Sequence, residues 1–98
     1  PRDSSSKHVA SQLVRSGTSA GANYEEGRAA ESRADFIHKL RIAAKEMRET
    51  IFWLKLIQKT SLLPSTAAAP TFEPLIREAN ELAAILMASA RTARTTPR

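Results

Sequence analysis

The stretch ADFIHKLRIAAKEMRETIFWLKLI, Ala34–Ile57, decides the fold because its apolar residues recur every three or four positions. That spacing places them along one side of an α-helix. Ser32 stands where a helix cap is needed, and Asp35 lies near the positive end of the helix dipole. We therefore predict a helix over residues 33–60. Its main apolar stripe consists of Phe36, Leu40, Ala43, Met47, Thr50, Leu54 and Ile57.

Two further helices are predicted, one on each side of this segment. Apolar residues recur at helical spacing over residues 5–27 and again over residues 72–90. The first helix follows a run of serines that can cap it, while Thr71 can cap the third helix and Pro74 is tolerated in its first turn. The residues LLPSTAAAP at 62–70 are bounded by prolines and predict a surface connection.

No segment alternates apolar and polar residues in the manner of a β-strand, so we predict an all-α fold. We expect one domain over residues 1–90, an antiparallel up-and-down helical bundle, followed by a basic flexible tail over residues 91–98. Toward its C-terminal end the second helix is apolar on more than one side, through Phe52, Trp53 and Leu56. Two neighbours cannot cover all of that surface, so we expect a further helix or another subunit against it.

The first helix contains a stretch, QLVRSGTSAGANYEEG at 12–27, that is a poor helix former. Gly17 and Gly21 each cost about 1 kcal/mol of helix propensity. We expect close packing against a neighbouring helix at both glycines to offset that cost.

Polar residues also recur at helical spacing in this stretch, along one flank of the helix. They are Gln12, Arg15, Ser16, Ser19, Asn23 and Glu26. On the second helix, Glu46 and Glu49 lie one turn apart, within reach of Arg15. We predict that these eight residues form a polar network that sets the helix register and has no catalytic role. We expect its Arg15 ion pair to be buried between the helices.

The composition narrows the classes of function. The chain has 98 residues, a net charge of +5 and no cysteine. The charge favours anionic partners, and the lack of cysteine excludes disulfides and thiolate zinc sites. No apolar run approaches the roughly 20 residues of a membrane span, and the first residues do not resemble a secretory signal. We therefore expect a cytoplasmic protein that does not enter a membrane. Because the chain does not start with Met, we expect that Pro1 is not its natural beginning.

The titratable residues show no catalytic or metal-binding motif. His8 and His38 lie far apart in the sequence, and neither is surrounded by metal-ligand spacing. The Glu-x-x-His pattern of di-iron bundles is absent. The alternative candidates for an acid/base pair or a divalent-ion site are two pairs of glutamates, Glu25 with Glu26 and Glu46 with Glu49. We expect no enzymatic activity, no cofactor, no metal and no small-molecule substrate.

Basic residues, most of them on the second helix, are the candidates for nucleic-acid binding. The candidate phosphate contacts are Arg28, Arg33, Lys39, Arg41, Lys45, Arg48, Lys55 and Lys59. Acids such as Glu46 and Glu49 would neutralise part of this surface through i,i+4 pairs, so a solvated charged face is the alternative. The sequence lacks an exposed aromatic series that could stack on bases. We therefore expect contacts to backbone phosphates with little sequence selectivity.

A protein partner defines the second class of function. Phe52, Trp53 and Leu56 are the candidates for oligomer or partner contact. A helical scaffold that binds another protein through them would have no role with nucleic acid. The salt dependence of binding separates the two classes, because phosphate contacts weaken steeply as salt rises.

The segments SQLVRSGTSAGANYEEG, residues 11–27, and Ala34–Ile57 also carry a family resemblance. The chain closely resembles the four-helix-bundle proteins first noticed as products of intervening sequences in bacterial large-subunit ribosomal RNA genes. The match is strongest over 9–63 and continues more loosely over 78–86. Its specific motif is the ordered Gln, Arg, Ser, Ser, Asn and Glu of the first segment, followed in the second by Asp-Phe, a Lys-Leu step and Glu-x-x-Glu-x-x-x-Trp-Leu, which begins at Glu46.

The resemblance implies an up-and-down antiparallel four-helix bundle, commonly a homopentamer. It also implies a relation to accessory proteins of diversity-generating retroelements, which bind nucleic acid and are not enzymes. The family has a long helix before the position of Pro1, so we expect three of its four helices here. From the resemblance we expect a ring-forming accessory protein that binds RNA or DNA.

Overall fold

The computed structural model describes residues 4–60 and 72–97 of the chain. These residues form three α-helices, which are α1 (Ser4–Arg28), α2 (Arg33–Thr60) and α3 (Phe72–Thr95). No β-strand occurs in the described ranges, and the predicted all-α fold is confirmed. No described helix is both long and apolar enough to cross a membrane.

Caps and turn residues explain where α2 and α3 begin. The backbone N–H of Asp35 donates to Oγ of Ser32 over 3.0 Å, which is the predicted cap of α2. Pro74 lies in the first turn of α3, where its missing N–H removes no helical hydrogen bond. The predicted cap Thr71 and the predicted connection at 62–70 lie outside the described residues.

Consecutive helices run antiparallel, because residues late in one helix contact residues early in the next. Glu26 pairs with Lys39 near the α1–α2 turn, and Gln58 near the end of α2 donates to Glu73 at the start of α3. α2 packs against both neighbours, whereas α1 and α3 have at most marginal contact with each other. The bundle is therefore an open layer with α2 in the middle, measuring 53 × 23 × 15 Å.

Two apolar clusters hold α3 against α2. One cluster combines Ile51 and Leu54 of α2 with Ile76 and Ala79 of α3. The second lies at the opposite end of the layer and combines Ile37 and Leu40 with Ala90. Small alanines on α3 let the two helices approach closely, so the core is thin and dense.

The α1–α2 contact uses small residues, although two of the glycines do not contribute as expected. A Cβ added at Gly17 or Gly21 would meet nothing within 4 Å, so the expectation of close packing at these two positions is wrong within this chain. At Gly27 a Cβ would lie 2.9 Å from Cδ1 of Leu40 and 3.2 Å from Cβ of Lys39. The close approach is therefore at the C-terminal end of α1, because Gly17 and Gly21 are turned toward the open side of the layer.

α3 is longer than the sequence indicates. It continues through Thr95, so the expected end near Ala90 and the expected flexible tail do not hold over residues 91–95. Arg33 at the start of α2 donates to the carbonyl oxygens of Thr96 and Pro97. Arg94 in the last turn also complements the negative end of the helix dipole. Arg91 and Arg94 thus lie on a helix whose end is held by α2, and not in a solvated tail.

An apolar groove remains open on one side of the layer. It has a volume of about 260 Å³ and is lined by Gly21 and Tyr24 of α1, Met47 of α2, and Leu82 and Ile85 of α3, among others. Ile85 is 59% exposed, and Tyr24 and Leu82 are more than two-fifths exposed. Helical spacing places Tyr24 and Leu82 among the apolar residues of α1 and α3, yet neither is buried within a single chain, because no other element of the described residues covers them.

Candidate nucleic-acid interface

The side of α2 that faces neither neighbour is basic along most of its length. Its exposed residues recur every three or four positions, as one face of a helix requires. They include Arg41, Lys45, Arg48, Lys55 and Lys59, which we call the basic face of α2. At 1.5 Å per residue, this face extends over about 27 Å. Five of the eight predicted phosphate contacts therefore share one exposed surface.

The basic face is not locally neutralised. Within 4–60 and 72–97, no carboxylate lies within ion-pair distance of any of its five cations. Lys45 influences Glu49 only at a distance, as a minor contribution to that group's lowered pKa. The expected i,i+4 neutralisation by Glu46 and Glu49 is therefore limited to this weak interaction, because both carboxylates form their ion pairs with Arg15 of α1.

Arg15 of α1 is the group that holds these two glutamates. Its Nη1 donates to Oε1 of Glu46 over 3.2 Å and its Nη2 donates to Glu49. Its Nε donates to Oε1 of Gln12 over 3.0 Å, which orients the guanidinium. The predicted pairing of Arg15 with a glutamate of α2 is thus present in the structure, and it involves both carboxylates.

The expected burial of this pairing is wrong. The side chain of Arg15 is 44% exposed and that of Glu49 is 34% exposed, because position 15 lies at the rim of the α1–α2 interface. Hydrogen bonding to Glu49 raises the pKa of Arg15. The indole of Trp53, followed by Arg15, lowers the pKa of Glu49. The two ion pairs are therefore partly exposed, with only Glu46 largely covered at 17%, and solvent screening limits what such pairs contribute to stability.

Ser16, the neighbour of Arg15, faces directly into the α1–α2 interface. It is fully buried, and its Oγ lies 2.8 Å from Oγ1 of Thr50 and 3.3 Å from the carbonyl oxygen of Leu13. Thr50 in turn donates to the carbonyl oxygen of Glu46 over 2.9 Å. Sequence reasoning placed Thr50 in the apolar stripe and missed this contact, although Thr50 is the single hydroxyl residue of that stripe.

The rest of the predicted polar network separates into local pairs. Asn23 donates to the backbone oxygen of Ser19 within α1 over 2.9 Å. Glu26 accepts from Nζ of Lys39 over 2.7 Å. The eight residues therefore form three groups along the interface and not one continuous ladder.

Three of the predicted phosphate contacts lie away from the basic face. Arg28 lies 3.7 Å from Glu25 in α1, and Arg33 binds the carbonyl oxygens at the end of α3. Lys39 pairs with Glu26, whose hydrogen bond raises the pKa of Lys39. These cations already have partners inside the protein. Their placement narrows the candidate interface to the five residues of the basic face.

Two aromatic residues that contact each other lie at the basic face. Phe52 lies within the face, and Trp53 lies at its edge. Phe52 is 54% exposed, and its ring centroid lies 4.9 Å from that of Trp53 at an interplanar angle of 73°. Nε1 of Trp53 donates to Oε2 of Glu49 over 3.1 Å, and the ring of His8 contacts the indole edge-on at 6.0 Å. Of the predicted partner contacts, Phe52 is exposed while Trp53 and Leu56 are half-buried.

The described residues offer no site for a metal ion. No group of three or more His, Asp or Glu side chains in these ranges could hold one. His38 is exposed on α2, and His8 lies against Trp53. The arrangement is suited to ionic and stacking contacts along α2.

The chain is similar to known proteins in both sequence and structure. A family model described as "23S rRNA-intervening sequence protein" matches residues 2–88. A solved crystal structure of a protein with unknown function, from the S23 ribosomal protein family of Bacteroides thetaiotaomicron, is 39% identical with a TM-score of 0.75. The match covers 86% of this chain and 71% of that one. A comparison with curated proteins gave no match.

Proposed function

This chain belongs to the 23S rRNA-intervening sequence protein family, and we propose that it is a non-enzymatic helical protein that binds RNA or DNA through backbone phosphates. The observation that supports this proposal is the basic face of α2, with five exposed cations in helical register. The carboxylates that could neutralise it are held by Arg15 on the α1 side. A nucleic acid is the polyanion whose charge repeats regularly enough to use the whole face.

The geometry favours phosphate contacts over base readout. Lysine and arginine side chains reach phosphates from many positions, and such contacts carry no sequence information directly. Within the described residues, one helix alone forms the face. We expect binding with little sequence preference and a strong dependence on salt.

We propose further that the protein acts as a homo-oligomer. The apolar groove faces water in a single chain, and Leu82 and Ile85 in its lining are 43% and 59% exposed. Apolar surface contributes roughly 25 cal/mol per Å² when it is removed from water, so covering this side stabilises an assembly. A pentameric ring, as the family resemblance implies, would repeat the basic face around its surface and strengthen the field that attracts anions.

Association through the groove leaves the basic face accessible. At about 100° per residue, Lys45 and Phe52 lie roughly 140–160° around α2 from Met47, which lines the groove. The groove and the basic face are therefore on nearly opposite sides of the layer. One side is suited to protein contact and the other to nucleic acid.

A protein scaffold with no nucleic-acid role is the second candidate function. The observation that favours it is the exposed apolar surface of the groove together with Phe52. A partner helix with an apolar face could bind in the groove, and a second apolar contact could form at Phe52 on the opposite side of the layer. Such binding would change little with salt.

Binding across a salt series tests the proposal. Labelled structured RNA and duplex DNA would be titrated with the protein between about 50 and 200 mM salt. If five phosphates are contacted per subunit, duplex affinity falls about 10²–10³-fold over that range. A flat response, or no binding to any of several nucleic acids, would reject phosphate binding and favour the scaffold.

A further inference from the structure

We propose that Phe52 is a stacking site for an unpaired nucleobase, so that the preferred ligand of the basic face is a single-stranded segment. This inference rests on the proposed function and specifies the class of nucleic acid. It departs from the sequence-based expectation of phosphate contacts alone. The structure supplies the observation that the sequence lacked, which is an exposed aromatic ring set among cations that have no ion-pair partner in the described chain.

The position of Phe52 suits a nucleotide. Arg48 lies one turn before it and Lys55 one turn after it, at axial distances of about 6 and 4.5 Å. A base on the ring would have its flanking phosphates within reach of these two flexible cations. Cations along the backbone with an aromatic platform for the base form the usual combination in proteins that bind single strands.

The ring is also held in place before a ligand arrives. Phe52 and Trp53 meet edge-to-face, with centroids 4.9 Å apart, and this contact leaves Phe52 more than half exposed. The indole is anchored by its hydrogen bond to Glu49 and by its contact with His8. An ordered platform loses little conformational entropy on binding, which favours affinity.

A base-paired duplex cannot use this platform in the same way. Its bases are already stacked on one another inside the helix, so their flat faces are not available to the ring of Phe52, and phosphate contacts remain. The cations of the basic face therefore serve both duplex and single strand, whereas Phe52 adds affinity for the single strand alone. Replacing an aromatic stacking residue with alanine weakens single-strand binding by about 5- to 150-fold.

The test uses the single tryptophan of the chain as a local reporter. A single strand of about 12 nucleotides and the matching duplex would be titrated against the full chain, and its tryptophan fluorescence would be followed. Phe52→Ala removes the ring, Phe52→Tyr keeps a stacking face, and Phe52→Leu keeps apolar bulk without one. Val14→Ala is the matched control, since Val14 is an exposed apolar residue on α1.

We expect single-strand binding to change the fluorescence of Trp53, and we expect Phe52→Ala and Phe52→Leu to weaken that binding by 5-fold or more. Phe52→Tyr and Val14→Ala should bind normally, and duplex affinity should be the same in all five proteins. Equal single-strand affinity in wild type, Phe52→Ala and Phe52→Leu would reject stacking while leaving phosphate binding intact. Wild-type affinity in Phe52→Leu with a loss in Phe52→Ala would assign Phe52 an apolar contact and also reject stacking.

Two further outcomes separate the failure of this inference from that of the proposed function. A change of molecular mass in Phe52→Ala with unchanged single-strand affinity would assign the ring to subunit contact and overturn the inference. No nucleic-acid binding by the wild type, single-stranded or duplex, would overturn both proposals together.

Discussion

The hydroxyl oxygens of Ser16 and Thr50 lie 2.8 Å apart across the α1–α2 interface. Ser16 is fully buried there, so this polar contact lies inside the packed layer and not on its rim. Because hydrogen bonds between side chains are directional, the contact favours one register of α1 against α2. It brings Arg15 opposite Glu46 and Glu49, which keeps both carboxylates away from the basic face.

The size of residue 16 should therefore decide the stability of the α1–α2 contact. We expect Ser16→Leu to lower the free energy of unfolding by about 1–3 kcal/mol, since the larger side chain overpacks the interface. Ser16→Ala should cost only about 0.5–1.5 kcal/mol, because it removes one hydrogen bond. Urea unfolding measures both, and Ser11→Leu on the exposed side of α1 is the control. Equal stability of Ser16→Leu and Ser11→Leu would show that the interface is loose.

Arg15 should be less important for stability than its three hydrogen-bond partners suggest. Because its side chain is 44% exposed, water and salt screen its pairs with both glutamates. We expect Arg15→Ala to lower the thermal midpoint by only a few degrees, and by less at high salt. A loss as large as that of Ser16→Leu, unchanged by salt, would show that the pair is buried in the assembled protein.

The three glycines should respond differently to alanine. Gly17→Ala should stabilise the folded chain by about 1 kcal/mol, because alanine is the better helix former and meets no neighbour. Gly27→Ala should destabilise it by about 1 kcal/mol, since the new methyl group would overlap Leu40. Thermal unfolding of both variants tests this contrast. Gly21→Ala tests the groove as well, because Gly21 lines it. If this variant stabilises the monomer but weakens self-association, a partner helix packs against Gly21.

Acid titration should reveal the contact between Glu49 and Trp53. Hydrogen bonds from Trp53 and Arg15 lower the pKa of Glu49 below its ordinary value near 4.5. The ionised form therefore stabilises the fold above that value, and the contribution is lost as the pH falls through the lowered pKa. Tryptophan fluorescence should change with a midpoint below 4.5 and should lose this transition in Glu49→Gln. Glu81→Gln, on the exposed side of α3, should retain it, and an identical transition in both variants would contradict the assignment.

If oligomers form through the groove, a charged residue placed there should reduce the mass of the assembly. Ile85→Lys places a charge in the apolar groove, where burial against another helix would be costly. We expect light scattering to show a multimer for the wild type and a smaller mass for this variant, while its helical content stays the same. A wild-type mass of one chain would reject the homo-oligomer.

The helical periodicity of the sequence was sufficient to predict the fold class, the bounds of α2 and the cap at Ser32. It also placed Arg15 opposite Glu46 and Glu49, because helix spacing and antiparallel packing leave few alternatives. Periodicity cannot show how far around each helix the neighbours extend. For that reason it misjudged the exposure of Arg15 and the orientation of Gly17.

The candidate site was only partly predictable for the same physical reason. Helical spacing aligned Arg41 through Lys59 on one face, whereas the partners of Arg33 and Lys39 depend on contacts with α3 and α1. From the sequence alone, Phe52 is expected to lie in the core or in an interface, because aromatic residues are usually buried in one or the other. Its exposure among cations becomes visible once α1 and α3 occupy the other two sides of α2.

The most direct test of phosphate binding by the basic face compares two double variants of equal charge. Lys45→Glu with Lys55→Glu changes that face, and Lys7→Glu with Arg77→Glu changes exposed cations on α1 and α3. Each substitution replaces a positive charge with a negative one and lowers the net charge by two, so both double variants go from +5 to +1. Affinity for one labelled RNA would be measured across a salt series. We expect the first variant to lose about 100-fold or more in affinity and to reduce the salt slope by about 2, while the second loses only a few-fold. Equal losses in the two variants would mean that net charge alone attracts the nucleic acid, and would contradict binding by this face.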